Sequence, residues 1–244
     1  MALDGVTLAH LIKELHPLLT GARIDKIQQP EKEEVHFLLR QPRQSLRLLF
    51  NAGATAPRFH LTEESKKNPP SPPMFCMILR KHLEGGKILD ISQENLERTV
   101  TFAIQNFNEH GDMKTYHLHL EIMGKHSNLL LVDPESNALL DGLKRYTHAV
   151  SRHREILPGR PYIPPPSQGK LVLHQEKDWQ TILLRADLDR SLPQLLVDLF
   201  DGVSPELSRE IVVRSGLELG VSLSECGEID LNRLFQNYVL LANP

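Results

Sequence analysis

The chain has 244 residues, of which 40% are hydrophobic and 24% charged, and its formal net charge is −3 at pH 7. This length and composition are typical of one large or two ordinary soluble domains. They exclude a membrane-spanning helix, which needs an apolar run of ~20 residues, and a disulfide framework, because the only cysteines are Cys76 and Cys226. We therefore expect a cytoplasmic protein with two reduced thiols and no secretory signal.

The charge is distributed unevenly along the chain. Residues 1–170 carry 22 Lys and Arg against 19 Asp and Glu, whereas residues 171–244 carry 6 against 12. A surface that contacts RNA is therefore expected mainly on the first part of the chain.

The chain opens with a predicted helix followed by strands. Asp4 is a helix N-cap residue, and the apolar residues that follow it recur at helical spacing. Arg23–Gln29 is predicted to be a strand that stops at Pro30. Val35–Leu39 and Leu46–Phe50 alternate apolar and polar residues around a short turn, which predicts a hairpin.

An irregular segment, Asn51–Ser71, follows the hairpin and surrounds one short predicted strand, Arg58–Leu61. Ser71 then caps a second predicted helix. This helix has Pro72 in its first turn, where the missing N–H of proline costs nothing, and it ends at Gly85.

The next part of the chain is rich in predicted strands. Short apolar or alternating segments recur between polar turns, as is typical of a β-rich fold. Together with the preceding elements they predict an α+β fold, a β-rich sandwich or barrel flanked by helices. The segments are Lys87–Ser92, Arg98–Ile104, Thr115–Ile122, Leu129–Val132 and Asn137–Leu143.

The last part of the chain is predicted to be helical. Arg145–Pro166 is basic and proline-rich, which indicates an extended linker. We place the domain boundary after it, so that residues 1–170 form the β-rich domain and residues 171–244 a helical module. Predicted helices begin at Ser191 and Ser204, and a third covers Leu231–Leu241.

The densest mixture of polar and apolar signals lies at residues 121–133. The strict alternation of Thr115–Ile122 is broken at Gly124, and the continuous apolar run Leu129–Val132 follows. The turn between them is either a solvated hairpin loop, which composition favours, or a polar rim that binds a ligand. Its polar residues are Lys125, His126, Ser127 and Asn128.

No pattern for metal or cofactor chemistry stands out. His117 and His119 share one face of a strand, but no third ligand is apparent, so an exposed strand is favoured over a metal site. The chain has no cysteine cluster and no glycine-rich phosphate loop. We predict a binding surface without metal or cofactor.

Four stretches carry a resemblance to a known family. They are Gly21–Pro30, Pro73–Gly86, the sequence Met-Gly-Lys-His-Ser-Asn at residues 123–128, and Arg154–Gly159. These stretches resemble the NFACT family and occur in the family's order. The resemblance covers nearly the whole chain. Because full-length NFACT proteins are longer, with coiled-coil and further RNA-binding regions, we expect this chain to be an N-terminal fragment.

The resemblance implies a fold related to the N-terminal domain of formamidopyrimidine-DNA glycosylase, followed by a helix-two-turn-helix-like module at residues 202–216. Such glycosylases attack with an N-terminal proline followed by glutamate. This chain begins Met1-Ala2-Leu3-Asp4. We therefore expect a protein that binds nucleic acid and is not an enzyme.

The resemblance also implies partners and a site. NFACT proteins recognise tRNA on the large ribosomal subunit beside a stalled peptidyl-tRNA, and in bacteria they promote alanine tailing, so alanyl-tRNA is the expected ligand. The family's Asp-Arg pair corresponds to Glu97 and Arg98, with Glu in place of Asp. The family's second tRNA-associated stretch corresponds to Glu121, Ile122 and Met123. Further residues that could contact the RNA backbone are Arg80, Lys81, Lys125, His126, Lys144 and Arg145.

Two other function classes stay open. The first is a surface adhesin that binds fibronectin, which cell fractionation would distinguish. The second is a glycosylase-like protein that binds nucleic acid, which a base-excision assay would distinguish.

Overall fold

A computed structural model describes residues 3–149, 151, 153–172, 183 and 186–242 of the chain. The chain divides into two compact units. The first is built mainly from Ile12–Glu94 and Arg98–Pro166, and the second from Asp4–Leu11, Asn95–Glu97 and the residues from Ser167 onward. Each unit thus draws on distant parts of the sequence, and the predicted division into independent domains at residue 170 stays a prediction.

The first unit contains one antiparallel sheet of nine strands, which confirms the α+β class. In chain order these strands are consecutive neighbours, with a single exception where β1 lies beside β5, giving the order β4-β3-β2-β1-β5-β6-β7-β8-β9. The strands are β1 (Arg23–Glu31), β2 (Glu34–Gln41), β3 (Gln44–Asn51), β4 (Arg58–Leu61), β5 (Lys87–Gln93), β6 (Thr99–Phe107), β7 (Met113–Glu121), β8 (Asn128–Asp133) and β9 (Ala138–Gly142).

The sheet curves until its two halves share an aromatic core. Phe50 on β3 and Phe102 on β6 are separated by three strands in the sheet, yet their ring centroids are 5.1 Å apart in an edge-on arrangement. Phe59 on β4 meets the same ring at 5.6 Å. Such aromatic contacts stabilise a core beyond the area they bury. A closed barrel is not formed among the described strands, because β4 and β9 each have a single strand neighbour.

Proline 30 does not end β1 as the sequence predicted. The strand continues to Glu31, and the register with β2 shifts between the pairs Gln28–His36 and Glu31–Glu34. Two residues, Gln29 and Pro30, therefore face one residue of β2. This is a β-bulge, which accommodates a residue that cannot donate a hydrogen bond and re-aims the neighbouring side chain.

Two helices occur among these strands in chain order, and the first of them is shared between the two units. Helix α1 (Gly5–Leu19) begins at the predicted cap, since the amide of Thr7 donates to Asp4 Oδ1 at 2.8 Å. Helix α2 (Met74–Leu83) begins two residues later than predicted, with Pro73 rather than Ser71 as its N-cap, because the proline-rich stretch before it stays extended.

The segment after β9 is held in place and is not the free linker that its composition indicated. Tyr146 and Ile156 exchange backbone hydrogen bonds of 3.3 and 2.9 Å. The amide of Leu139 donates to Arg160 O, and that of Tyr162 to Asn137 O, each at 2.8 Å. The segment is therefore tied to β9 by backbone hydrogen bonds and isolated bridges, without adding a further strand to the sheet.

The second unit is helical in its described part. It contains α3 (Leu192–Leu199), α4 (Pro205–Arg214) and α5 (Glu228–Ala242), and its core includes Tyr238 and Phe200. Ser204 caps α4 as predicted, its side chain accepting from the amide of Leu207. Within the described ranges of both units, no helix is long and apolar enough to cross a membrane.

Candidate nucleic-acid interface

The chain changes direction between β7 and β8, at the residues where polar and apolar sequence signals are most densely mixed. We call residues 121–128 the corner. Glu121 ends β7, Met123 leaves the strand conformation, and Gly124 adopts a left-handed φ of +55°. A single 3-10 turn, Gly124–His126, follows. The hydroxyl of Ser127 accepts from the amide of Met123 at 2.7 Å and closes the turn. Glycine suits this position because its left-handed conformation costs little there.

Glu121 is fully buried, which corrects the exposed position expected from strand alternation. Its carboxylate forms a two-pronged ion pair with Arg154, whose Nη1 donates to Glu121 Oε1 at 2.7 Å and whose Nη2 donates to Oε2. The hydroxyl of Tyr162 also donates to Oε1, at 3.3 Å. Alternation failed here because the segment after β9 covers the outer face of the strand. Ile122 is buried as well.

The negative charge of Glu121 and the burial of the site set the protonation states of Arg154 and Tyr162. Burial lowers the pKa of Arg154, but the hydrogen bonds and negative charge of Glu121 outweigh it, so the pKa lies above its ordinary value. Burial, together with the negative charge of Glu121, raises the pKa of the Tyr162 hydroxyl. Arg154 is therefore permanently charged and Tyr162 neutral, and Glu121 supplies the compensating charge.

His119 lies beside this ion pair and not on an exposed strand face. Its ring stacks on Tyr162 with centroids 4.4 Å apart, and its Nδ1 is 2.9 Å from the hydroxyl of Thr101. Burial, with smaller contributions from the charges of His117 and Arg154, lowers the pKa of His119 to about 3. The imidazole is therefore neutral. No group of three potential metal ligands occurs among the described residues.

Asn128 connects the corner to the next loop. Its side-chain amide donates to Lys144 O at 2.8 Å, and its Oδ1 accepts from the amide of Lys144 at 2.9 Å. The ammonium group of Lys144 pairs with Glu33 at 2.8 Å and donates to Ala52 O at 2.7 Å. Lys144 is thereby committed to contacts within the protein.

Arg145 is committed in a similar way. Its Nε and Nη2 each donate to a different oxygen of Asp141, both at 2.7 Å. Arg145 remains about half exposed, whereas Asp141 is buried. Of the two predicted RNA-backbone contacts in this loop, Arg145 is the more accessible, while the Lys144 side chain is 25% exposed.

Four other predicted residues present polar or flexible side chains at the corner. The amide of Ile122 donates to Arg98 O at 2.8 Å, which fixes Arg98 beside Met123. The side chains of Arg98 and Met123 are partly exposed, and those of Lys125 and His126 are exposed. No described ion pair or side-chain hydrogen bond uses the guanidinium of Arg98. Glu97 groups with the second unit.

Arg80 and Lys81 are not part of the corner. Lys81 forms an ion pair of 2.5 Å with Glu109, in the turn that joins β6 to the start of β7. Glu121 ends that same strand, nine residues long, so the two positions are separated by roughly 30 Å. Arg80 donates from Nε to Ile27 O on β1 at 2.8 Å.

The sequence interpretation missed the supporting residues. Arg154 belongs to one of the stretches that resemble the NFACT family, yet its basic, proline-rich neighbourhood indicated a solvated loop. Tyr162 was treated as part of a stiff linker. One usable signal was a lone glutamate in an otherwise apolar strand end, because a buried carboxylate requires a cation or several donors.

Comparisons with known proteins agree with the resemblance. The family model "NFACT N-terminal and middle domains" matches residues 4–244. The "Rqc2 homolog RqcH" of Bacillus subtilis is 39% identical over 223 residues, which cover 91% of this chain and 39% of that protein. The mouse "Ribosome quality control complex subunit NEMF" is 28% identical over 130 residues, covering 53% of this chain and 11% of its own. The chain thus spans well under half the length of these curated relatives.

A solved structure has the same fold. The crystal structure of the N-terminal domain of fibronectin-binding protein PavA from Streptococcus pneumoniae superimposes with a TM-score of 0.80 at 38% identity. The match covers 86% of this chain and 78% of the PavA chain.

Proposed function

The chain belongs to the NFACT family, and from this premise we propose that it is the tRNA-holding part of a ribosome quality control factor. In this role it binds tRNA, in particular alanyl-tRNA, on the large ribosomal subunit beside a stalled peptidyl-tRNA. Holding that tRNA promotes alanine addition to the stalled chain. The names of the bacterial and mouse relatives support the ribosome quality control part of this proposal.

The observation that carries the proposal is that the corner has a buried ion pair and a separate set of exposed side chains. The buried charges, Glu121 and Arg154, neutralise each other, so neither is free to contact RNA. The side chains left at the surface include the partly exposed Arg98 and Met123 and the exposed Lys125 and His126. A guanidinium can pair with phosphate or stack on a base, a flexible thioether can pack on a base, and an ammonium attracts phosphate.

Glu121 therefore acts as a positioning residue. Its ion pair holds the end of β7 against Arg154, and the next amide along, that of Ile122, holds Arg98 through its carbonyl. The rigid backbone of this corner reduces the entropy lost when RNA binds.

The decisive experiment compares tRNA affinities of the full-length protein and its Arg98→Ala variant by fluorescence anisotropy. We expect a loss of about 1–3 kcal/mol, because a hydrogen bond to a charged group is removed. Arg98→Lys, which keeps the charge but loses the planar fork, should fall between the two. Arg40→Ala is the matched control, since Arg40 is exposed and already paired with Asp25.

Affinity of the wild type should also fall as salt rises, because phosphate contacts release counterions. An Arg98→Ala variant that binds as tightly as Arg40→Ala would remove the corner from the proposed interface.

We propose further that the protein acts by binding and not by catalysis. Its sheet and helices are proposed to be related to the formamidopyrimidine-DNA glycosylase architecture, with residues 202–216, which contain α4, as the helix-two-turn-helix-like element. The start of this segment supports the proposal, since Gly202 has a φ of +73° and Ser204 caps α4. No covalent adduct with damaged duplex DNA is expected on borohydride treatment, and a trapped adduct would refute the proposal.

Fibronectin binding is the second candidate, because the PavA structure carries that activity in its name. Surface capture of immobilised fibronectin by the full-length protein distinguishes the two functions. The Arg98→Ala variant should lose tRNA affinity and keep any fibronectin affinity.

A further inference from the structure

Two of the stretches that resemble the NFACT family meet at a cavity away from the corner. Gln28 and Gln29 come from the bulged end of β1, and Cys76 and Arg80 come from the inner face of α2. The proline-rich stretch before α2 closes the third side. The cavity has a volume of about 300 Å³, at the lower end of the range of small-ligand sites.

Gln29 lines this cavity, and its side-chain oxygen is an unsatisfied acceptor with almost no accessible surface. The side chain is 4% exposed, and its amide nitrogen donates to Lys32 O at 3.1 Å. Its oxygen, Oε1, has no hydrogen-bond partner among the described residues. A buried amide oxygen without a partner costs free energy that a ligand donor would recover. The terminal torsion of glutamine is soft, so the amide can adjust to a donor in the cavity.

The rim supplies positive charge. The Nε of Arg80 is engaged by Ile27 O, but no described hydrogen bond or ion pair uses its Nη1 or Nη2. Lys26, also on the rim, is exposed and has no described ion pair. An anionic group of a ligand is therefore favoured at the mouth, at the same time as a donor is favoured at Gln29.

The remaining walls are flat and stiff. Pro69, Pro70 and Pro72 line one side, and Cys76, itself fully buried, contributes an apolar floor. Proline has a fixed φ, so these walls need little ordering when a ligand enters.

We propose that this cavity binds a single unpaired nucleotide of an RNA whose base carries an exocyclic amino group. The amino group donates to Gln29 Oε1, the base lies against the prolines, and the phosphate meets Lys26 and Arg80. The site rests on the proposed function only in that the RNA is taken to be a tRNA.

The cavity and the corner are connected by a chain of neighbouring residues and hydrogen bonds. Gln29 donates to Lys32 O, and the next residue, Glu33, pairs with Lys144. Lys144 is in turn held by Asn128, whose neighbour across the sheet is Glu121. A contiguous set of contacts thus links the base pocket to the residues around Arg98.

The test measures binding of the full-length protein to fluorescein-labelled hexamers of A, C and U by anisotropy. Adenine and cytosine carry an exocyclic amine and uracil does not. The wild type should bind the A and C hexamers more tightly than the U hexamer. Gln29→Met keeps the volume but removes the acceptor, so it should weaken A and C binding roughly tenfold, to the level of U.

Lys26→Met provides a second test that leaves the core untouched. It should weaken all three hexamers to a similar extent, because phosphate contacts carry no base information. Lys67→Met is the matched control, since Lys67 is exposed nearby but does not line the cavity.

Equal affinity of the wild type for the three hexamers, or a preference that survives in Gln29→Met, would overturn the assignment. The two proposals fail separately. If tRNA binding falls in Arg98→Ala while Gln29→Met changes nothing, the pocket is wrong and the corner stands. If the protein distinguishes the hexamers but does not bind tRNA, the pocket stands and the corner is wrong.

Discussion

Removing one partner of the Glu121–Arg154 pair should be among the most damaging substitutions in the first unit. Arg154→Met leaves the Glu121 carboxylate, which has no exposed surface, without its cation. An uncompensated buried charge of this kind costs ~3–5 kcal/mol. Glu121→Gln reverses the roles and leaves the Arg154 guanidinium unpaired at 5% exposure, with a similar expected cost.

The double variant separates the pair from its surroundings. With both charges gone, Glu121→Gln/Arg154→Met should be destabilised far less than the sum of the single variants, by a coupling of about 2 kcal/mol or more. The suitable assay is hydrogen exchange at peptides covering β7 and residues 154–162. It reports local opening free energies, which matters because the two compact units need not unfold in one step.

Arg40→Met is the comparison for an ordinary surface pair. Arg40 and Asp25 are both exposed to a considerable extent, so its loss should cost at most about 1 kcal/mol. If Arg154→Met costs no more than Arg40→Met, or if the double variant is additive, the pair does not hold the corner together.

Two further predictions follow from the same region and from the proline-rich stretch. Because the pKa of His119 is about 3 in the fold against 6.5 when unfolded, the unfolded state gains a proton first as pH falls. Lowering the pH from 7 to 5 should therefore destabilise the wild type. Over that interval the free energy of unfolding of the His119→Phe variant should fall by ~2 kcal/mol less than that of the wild type, measured by the same exchange assay. An unchanged pH dependence would contradict the burial of this ring. Limited trypsin digestion should cut after the exposed Lys67 well before Arg154, whose side chain is held by Glu121, and early cleavage at Arg154 would argue against the pairing of that segment.

Local pattern was sufficient for most of the sheet. Period-two alternation located the hairpin of β2 and β3, and the interrupted alternation at Gly124 located the corner. Ser204 correctly predicted the start of α4, because its N-cap hydrogen bond involves only nearby residues. These signals are short-range, and nearby sequence is enough to interpret them.

The sequence could not reveal which residues are brought together over long distances. Glu121 and Arg154 lie 33 positions apart, and only the return of the chain over β7 buries them together. That return also buries His119, whose strand position alone indicated an exposed face. The predicted end of β1 at Pro30 was wrong for another reason. A proline is compatible with a β-bulge inside a strand as well as with the end of a strand.

The single non-consecutive junction in the sheet has a consequence for how the protein folds. Every other strand pair closes through a short connection, so β1–β4 and β5–β9 are two meanders that can form from local contacts. Joining them requires Arg23 to meet Lys87 across the intervening loop and helix α2, which carries a larger entropy of closure. We expect this junction to form late and to limit the folding rate. Gly86 lies at this junction, where its carbonyl accepts from the amide of Ile24 on β1 at 2.8 Å.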